Sequence, residues 1–172
     1  MRRGFQVRVV GPQHWIFIPA LLALAATLVL ATPVRLFRLP LPEPIIPMVL
    51  AFAWPLIRPS IIAPLVLMLC GLFLDLLWGG PLGLWALMML GVYGVILSAR
   101  SLILGQETFV LFLWYAGSTL AAYFTAWLFV TLDVGTAPSL VGGLLQVAVT
   151  IALFPVANNL IQRFDDGDVR FR

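Results

Sequence analysis

The chain has no lysine, one cysteine (Cys70) and one histidine (His14), and only 10% of its 172 residues are charged, where an ordinary soluble domain carries roughly a quarter. Each shortage removes a class of function. Without lysine there is neither a P-loop lysine nor a Schiff-base lysine. A single cysteine inside an apolar run excludes an intrachain disulfide and a multi-thiolate metal site, and a single histidine excludes a multi-His site. The basic residues are ten, all arginine, against seven acidic, for a net charge of +3. Such an excess reads as a membrane-topology signal rather than a nucleic-acid patch. No cofactor or metal is expected.

What fills the chain is apolar: 62% of residues are hydrophobic and the mean hydropathy is +1.08. At about 20 apolar residues per spanning helix, this length holds at most about six or seven spans and little else. The expectation is a single integral membrane domain over residues 1–172, all-α and polytopic, a compact bundle of about six transmembrane helices. The spans are predicted at about 15–32, 45–57, 61–78, 82–98, 109–130 and 140–160.

The first run, Trp15 to Leu30, follows Arg2, Arg3 and Arg8 like a signal peptide, but Ala25-Ala26-Thr27-Leu28 leads into more apolar sequence and a retained span is expected. A connector with Arg35, Arg38 and the alternating prolines of Leu39-Pro40-Leu41-Pro42-Glu43-Pro44 is predicted to be an extended, polyproline-like strand. Ile45–Ile57 has 13 residues, about 20 Å of helix, short of the roughly 30 Å core. It reads as a short span or a re-entrant hairpin. Arginine counting favours six spans with both termini cytoplasmic. That topology puts Arg2, Arg3, Arg8, Arg58, Arg100, Arg163, Arg170 and Arg172 inside and only Arg35 and Arg38 outside. Five spans give seven against three. The tail Phe164–Arg172, with Asp165, Asp166 and Asp168 among arginines, is expected to be a short solvated end.

Asp75 stands near the end of the third span, where a carboxylate costs free energy in lipid and opposes its own helix dipole. In the six-span topology the basic residues on that side are Arg35 and Arg38, so an ion pair to one of them is one expectation. The others are that the carboxylate caps loop backbone or meets water, and that it contacts a partner protein. Gly79-Gly80-Pro81-Leu82-Gly83 follows as a tight hairpin, with glycines that permit positive φ and a proline suited to a first helical turn. Gly71, four residues before Asp75, would let a neighbouring helix approach.

In the fifth span Gly117, Ser118, Ala121, Ala122, Thr125 and Ala126 recur at the spacing that brings helix backbones close in lipid, most often within one chain. Gln146 and Thr150 are again four apart, followed by Pro155, Asn158 and Asn159; they bond between helices, line a small cavity or sit near headgroups. Catalysis finds little support. His14 lies at the membrane edge and Ser118 in the body of a span, so no Ser–His dyad forms. Asp75 and Asp133 both fall toward the outer face, which keeps an aspartyl intramembrane protease as a minor alternative. A substrate-binding membrane subunit of a vitamin-type transporter is the stronger rival. The substrate-capture subunits of energy-coupling-factor transporters dock through an Ala-x-x-x-Ala pattern on the first helix, and Ala20, Ala23, Ala25, Ala26 and Ala31 contain no pair at spacing four.

The stretch Ile46-Pro47, Trp54-Pro55, Arg58-Pro59, Gly71-Leu72-Phe73-Leu74-Asp75-Leu76-Leu77, Gly80-Pro81-Leu82-Gly83, Ala86-Leu87 and Tyr93 resembles the rod shape-determining protein MreD family. That family carries a Gly-Leu-x-x-Asp-Leu-x-x-Gly-x-Pro-x-Gly core, here Gly71, Leu72, Asp75, Leu76, Gly79, Pro81 and Gly83. The resemblance covers Ile46 to Tyr93 directly and the rest in length and span count. It implies a non-catalytic, multi-pass inner-membrane component of the bacterial cell-elongation complex, with a fold similar to the substrate-capture subunits. The implied partners are MreC, a single-span protein with a periplasmic domain, and through it MreB, RodA and the paired transpeptidase of peptidoglycan synthesis. Gly71, Asp75, Gly80, Pro81 and Gly83, with Arg35, Arg38, Gly117, Ala121 and Ala122, are the motif and interaction candidates.

Overall fold

The computed structural model describes residues 8–10, 13–31, 35–36, 39–40, 43–165 and 169–171, with side chains over 14–31 and 43–164. A π-helical turn, Gln13–Phe17, leads into α1 (Ile18–Ala31). Then come α2 (Met48–Ile57), α3 (Ile62–Trp78), α4 (Leu84–Ser98), the single turn α5 (Arg100–Ile103), α6 (Thr108–Val134), α7 (Leu140–Ile151) and α8 (Phe154–Asp165). The stretches His14–Ala31, Thr108–Val134 and Leu140–Phe164 are long and apolar enough to cross a membrane, and α2, α3 and α4 are shorter apolar helices. Large apolar side chains face outward on α1 (Leu21, Leu22), α3 (Leu65, Leu69), α6 (Phe109, Phe124) and α7 (Val141, Leu144). In water so much exposed apolar surface would drive association; lipid is the solvent that suits it.

The short helix α2 lies at the centre. Every residue from Met48 to Leu56 is buried, the pattern of a helix apolar all round and wrapped by others. It packs against α4 and α8, and Phe52 meets Tyr115 of α6 edge to face at 5.2 Å. Its lead-in is non-helical backbone, which inside a membrane is tolerated only where protein satisfies it. Pro44 and Pro47 have no N–H to satisfy. The Ile45 N–H donates to Thr150 Oγ1 at 3.0 Å, the Ile46 N–H donates to the Pro44 carbonyl at 3.0 Å, and the Glu43 carbonyl accepts from Gln146 Nε2 at 3.0 Å. The prolines that forbid a longer helix therefore also keep the entry free of unpaired donors.

At its far end α2 is fixed to two other elements. Trp54 Nε1 donates to the Trp15 carbonyl at 3.0 Å, a carbonyl to which Pro19, having no N–H, cannot donate as an α-helical residue would. Arg100 Nη2 donates to the Leu56 carbonyl at 3.4 Å. Beside it, Tyr93 of α4 donates to the Ser60 carbonyl at 3.1 Å and accepts from the Ser60 N–H at 3.3 Å. Glu43, by contrast, meets Trp78 at the end of α3. The start and finish of α2 thus lie at opposite ends of the bundle.

Several boundaries differ from the sequence expectation. The fifth segment continues through Thr131 and Asp133 to Val134, ending where Gly135 supplies a φ of +73°. The sixth is two helices, broken at Ala152–Leu153, because Pro155 has no N–H for the Ile151 carbonyl and its ring crowds that turn. Within the proline connector Arg35–Leu36 pairs antiparallel with Leu39–Pro40, and residues 41–42 of the run expected to be polyproline-like lie outside the described residues. The tail is not simply a solvated end: Val169–Phe171 pairs in parallel with Arg8–Val10.

Candidate functional site: a carboxylate between two helices

The α3–α4 hairpin gathers five of the candidate residues. Gly71 sits where α3 crosses α4, and a Cβ there would overlap the Ala86 N and Cα and come within 2.7 Å of the Trp85 carbonyl carbon. The glycine is required by backbone contact. In lipid, where apolar burial gives no net drive between helices, such close approach is the main source of association energy.

One turn later, antiparallel α4 brings its N-terminus to Asp75. The carboxylate is 1% exposed. Oδ2 accepts from the Gly83 N–H at 2.8 Å and Oδ1 from the Trp85 N–H at 3.0 Å. Gly83 occupies the N-cap position of α4 and has no side chain to cap it, so Asp75 of α3 supplies the cap from outside the helix. The charge that opposes its own helix end meets the positive end of the next. Its main-chain carbonyl accepts from the Gly80 N–H at 3.2 Å, and Gly79 at φ +65° and Gly83 at φ +94° take the left-handed positions that the hairpin needs. Of the expectations for Asp75, this is the backbone cap. The Arg35 side chain and Arg38 lie outside the described residues.

The hairpin is braced from both sides. Trp78 and Trp85 meet edge to face at 5.4 Å, and Trp78 Nε1 donates to Glu43 Oε2 at 2.6 Å. Neighbouring polar groups are engaged likewise. Thr150 Oγ1 donates to the Gln146 carbonyl at 2.7 Å while accepting from Ile45, and the Tyr115 hydroxyl donates to the Thr150 carbonyl at 2.9 Å. Gln146 and Thr150 were visible in the sequence as a polar pair. Their partners in the α2 lead-in were not, since a backbone amide carries no side-chain signature.

The small-residue run on α6 divides. Ala122 is buried in line with Tyr115, Thr119 and Ala126, while Gly117 and Ala121 are exposed, and a Cβ on Gly117 would meet nothing within 4 Å. A close contact that the sequence did not single out is Gly143 of α7, where a Cβ would collide with the Tyr123 ring. Asp133 is exposed on the last turn of α6, in surroundings unlike those of the buried Asp75. Among the described residues no group of three His, Cys, Asp or Glu is placed to hold a metal ion. No family model, curated relative or solved structure matches the chain.

Proposed function

We propose that the chain is a non-catalytic packing component of a bacterial inner-membrane assembly, of the MreD type, crossing the membrane six times with both termini cytoplasmic. One observation carries this reading: the polar side chains Asp75, Trp78, Tyr115, Gln146 and Thr150 all engage the chain's own backbone or another of its side chains, and among the described buried side-chain oxygens Thr119 Oγ1 alone lacks a partner. Nothing in that set is held ready for substrate chemistry, which asks for an unengaged base or nucleophile. The opposite placement of the two ends of α2 supports counting it as a crossing, and the arginine distribution supports the orientation.

Docking would use the surface where close approach is still available. Gly117 and Ala121 are four apart on the exposed side of α6, the arrangement by which a single-span helix packs backbone to backbone in lipid. A partner of the MreC kind, one span joined to a periplasmic domain, fits that face. The test is affinity purification from the native membrane in mild detergent, with identification of the stoichiometric partner. Recovery of a single-span protein together with wall synthases is expected. Recovery of paired ATPases with a coupling membrane subunit would overturn the reading in favour of substrate capture.

A further inference from the structure

We propose that the groove between α1 and α8, floored by α2, holds one acyl chain of an anionic phospholipid, with the lipid phosphate at Arg163 and His14. The cavity measures about 650 Å³ and is walled by Leu22 and Ala26 of α1, Val49 and Leu50 of α2, and Val156 of α8, with His14, Asn159 and Arg163 at one end. Its volume lies inside the roughly 300–1,000 Å³ of small-molecule sites.

Length and polarity choose the occupant. From Leu153 to Arg163 the α8 wall rises about 15 Å and from Ile18 to Leu30 the α1 wall about 18 Å at 1.5 Å per residue, a little over half the hydrocarbon thickness and so about one leaflet deep. Small residues at Ala23 and Ala26 open the slot on the α1 side. Every polar lining group stands at the end where α1 begins and α8 finishes, and the lining includes a guanidinium and no carboxylate. An apolar slot of one leaflet's depth with a cationic mouth matches a phospholipid whose headgroup carries net negative charge. The lipid would belong to the leaflet that meets the chain termini.

The full-length protein is placed in phosphatidylcholine vesicles containing a trace of phosphatidylglycerol, or of phosphatidylcholine, with a photoactivatable group on the acyl chain, and adducts are mapped by mass spectrometry. The expected adducts fall on 22–26 and 156–160, with about fivefold more from phosphatidylglycerol, the ratio that one basic residue near an anionic headgroup supplies. Arg163→Gln should bring that ratio near one while leaving the adduct positions unchanged. Ala26→Trp should remove adducts from these positions. Should Ala26→Trp fail to fold, competition on the unaltered protein serves instead, where unlabelled phosphatidylglycerol should displace the probe and phosphatidylcholine should not. Equal yields from the two headgroups, or adducts spread around all outward helix faces, would overturn the proposal. So would loss of the groove adducts when a single-span partner co-purifies, which would make the groove a helix seat. The headgroup preference and the adduct positions on the protein alone do not depend on which partner the α6 face takes.

Discussion

Asp75→Ala removes both acceptors from the start of α4 while leaving the amides of Gly83 and Trp85 in place. A hydrogen bond to a charged acceptor contributes about 1.5–3 kcal/mol, and an orphaned buried donor costs about 1–3 kcal/mol. The Trp85 N–H is buried and takes the full penalty, whereas the Gly83 N–H is only part-buried and interfacial water can partly replace its acceptor. The sum is about 2–5 kcal/mol. Asp75→Asn keeps one carbonyl acceptor but loses the charge that faces the α4 dipole, so about 1–3 kcal/mol is expected. The assay is unfolding by dodecyl sulfate titration in mixed micelles, followed by tryptophan emission, to which Trp78 and Trp85 beside the site contribute. A loss below about 0.5 kcal/mol for Asp75→Ala, the size of an ordinary surface change, would refute the capping argument. A charge swap separates the cap from an ion pair. Asp75→Arg combined with Arg38→Asp or Arg35→Asp restores a salt bridge if one exists, but a guanidinium cannot accept from an amide, so the cap predicts no rescue.

Gly71→Ala is expected to lose about 2 kcal/mol or more by the same titration, because the new methyl group meets helix backbone rather than a side chain that can rotate away. Gly117→Ile should leave stability within about 0.5 kcal/mol yet reduce recovery of the single-span partner in pull-downs; full recovery would remove α6 as the docking face. Ala122→Leu and Gly71→Leu should both weaken complex formation more than Asp133→Asn, because they disturb buried contacts while Asp133 is exposed; equal damage from Asp133→Asn would favour a carboxylate-pair enzyme. Thr150→Val orphans the Ile45 N–H and should cost about 1–2 kcal/mol, read as a lowered melting temperature.

Hydropathy located the long helix-forming segments because an apolar run has few alternatives in lipid, but not the single turn Arg100–Ile103, which lies between two predicted spans. It could not tell what surrounds a run. The residues of α2 read like any other apolar stretch, and only the fold distinguishes a helix enclosed by protein from one facing lipid. Asp75 was legible as a residue needing compensation, and the hairpin was legible from its glycines and proline. The compensating groups were backbone amides, which no residue type announces, so the sequence left the cap standing beside an ion pair to Arg35 or Arg38. Gly143 was missed for a related reason: its contact is with Tyr123 on another helix, and neither residue is unusual in its own segment. Pro155 could have been found, since a proline inside a long apolar run marks a break in the hydrogen-bond ladder.

Whether α2 crosses the membrane decides the topology, and the two ends of α3 are the positions that read it out. Ten helical residues cover about 15 Å at 1.5 Å each, and the five lead-in residues 43–47, turned at Pro44–Ile46 and Ile45–Met48 and so below the roughly 17 Å of a fully extended run, leave the segment somewhat short of the roughly 30 Å core. That shortfall is tolerable because both ends of α2 are hydrogen-bonded to protein, so its termini need not reach water on their own. Ile61, 87% exposed between α2 and α3, and Leu82, 72% exposed between α3 and α4, mark the two ends of α3. With buried Cys70 replaced by alanine, Ile61→Cys should react with a membrane-impermeant maleimide only from the cytoplasmic side and Leu82→Cys only from the periplasmic side. Reaction of Ile61→Cys from the periplasm and Leu82→Cys from the cytoplasm would mean that α3 runs the other way. The segment through α2 would then return to the side it came from, reducing the crossings to five and separating the termini.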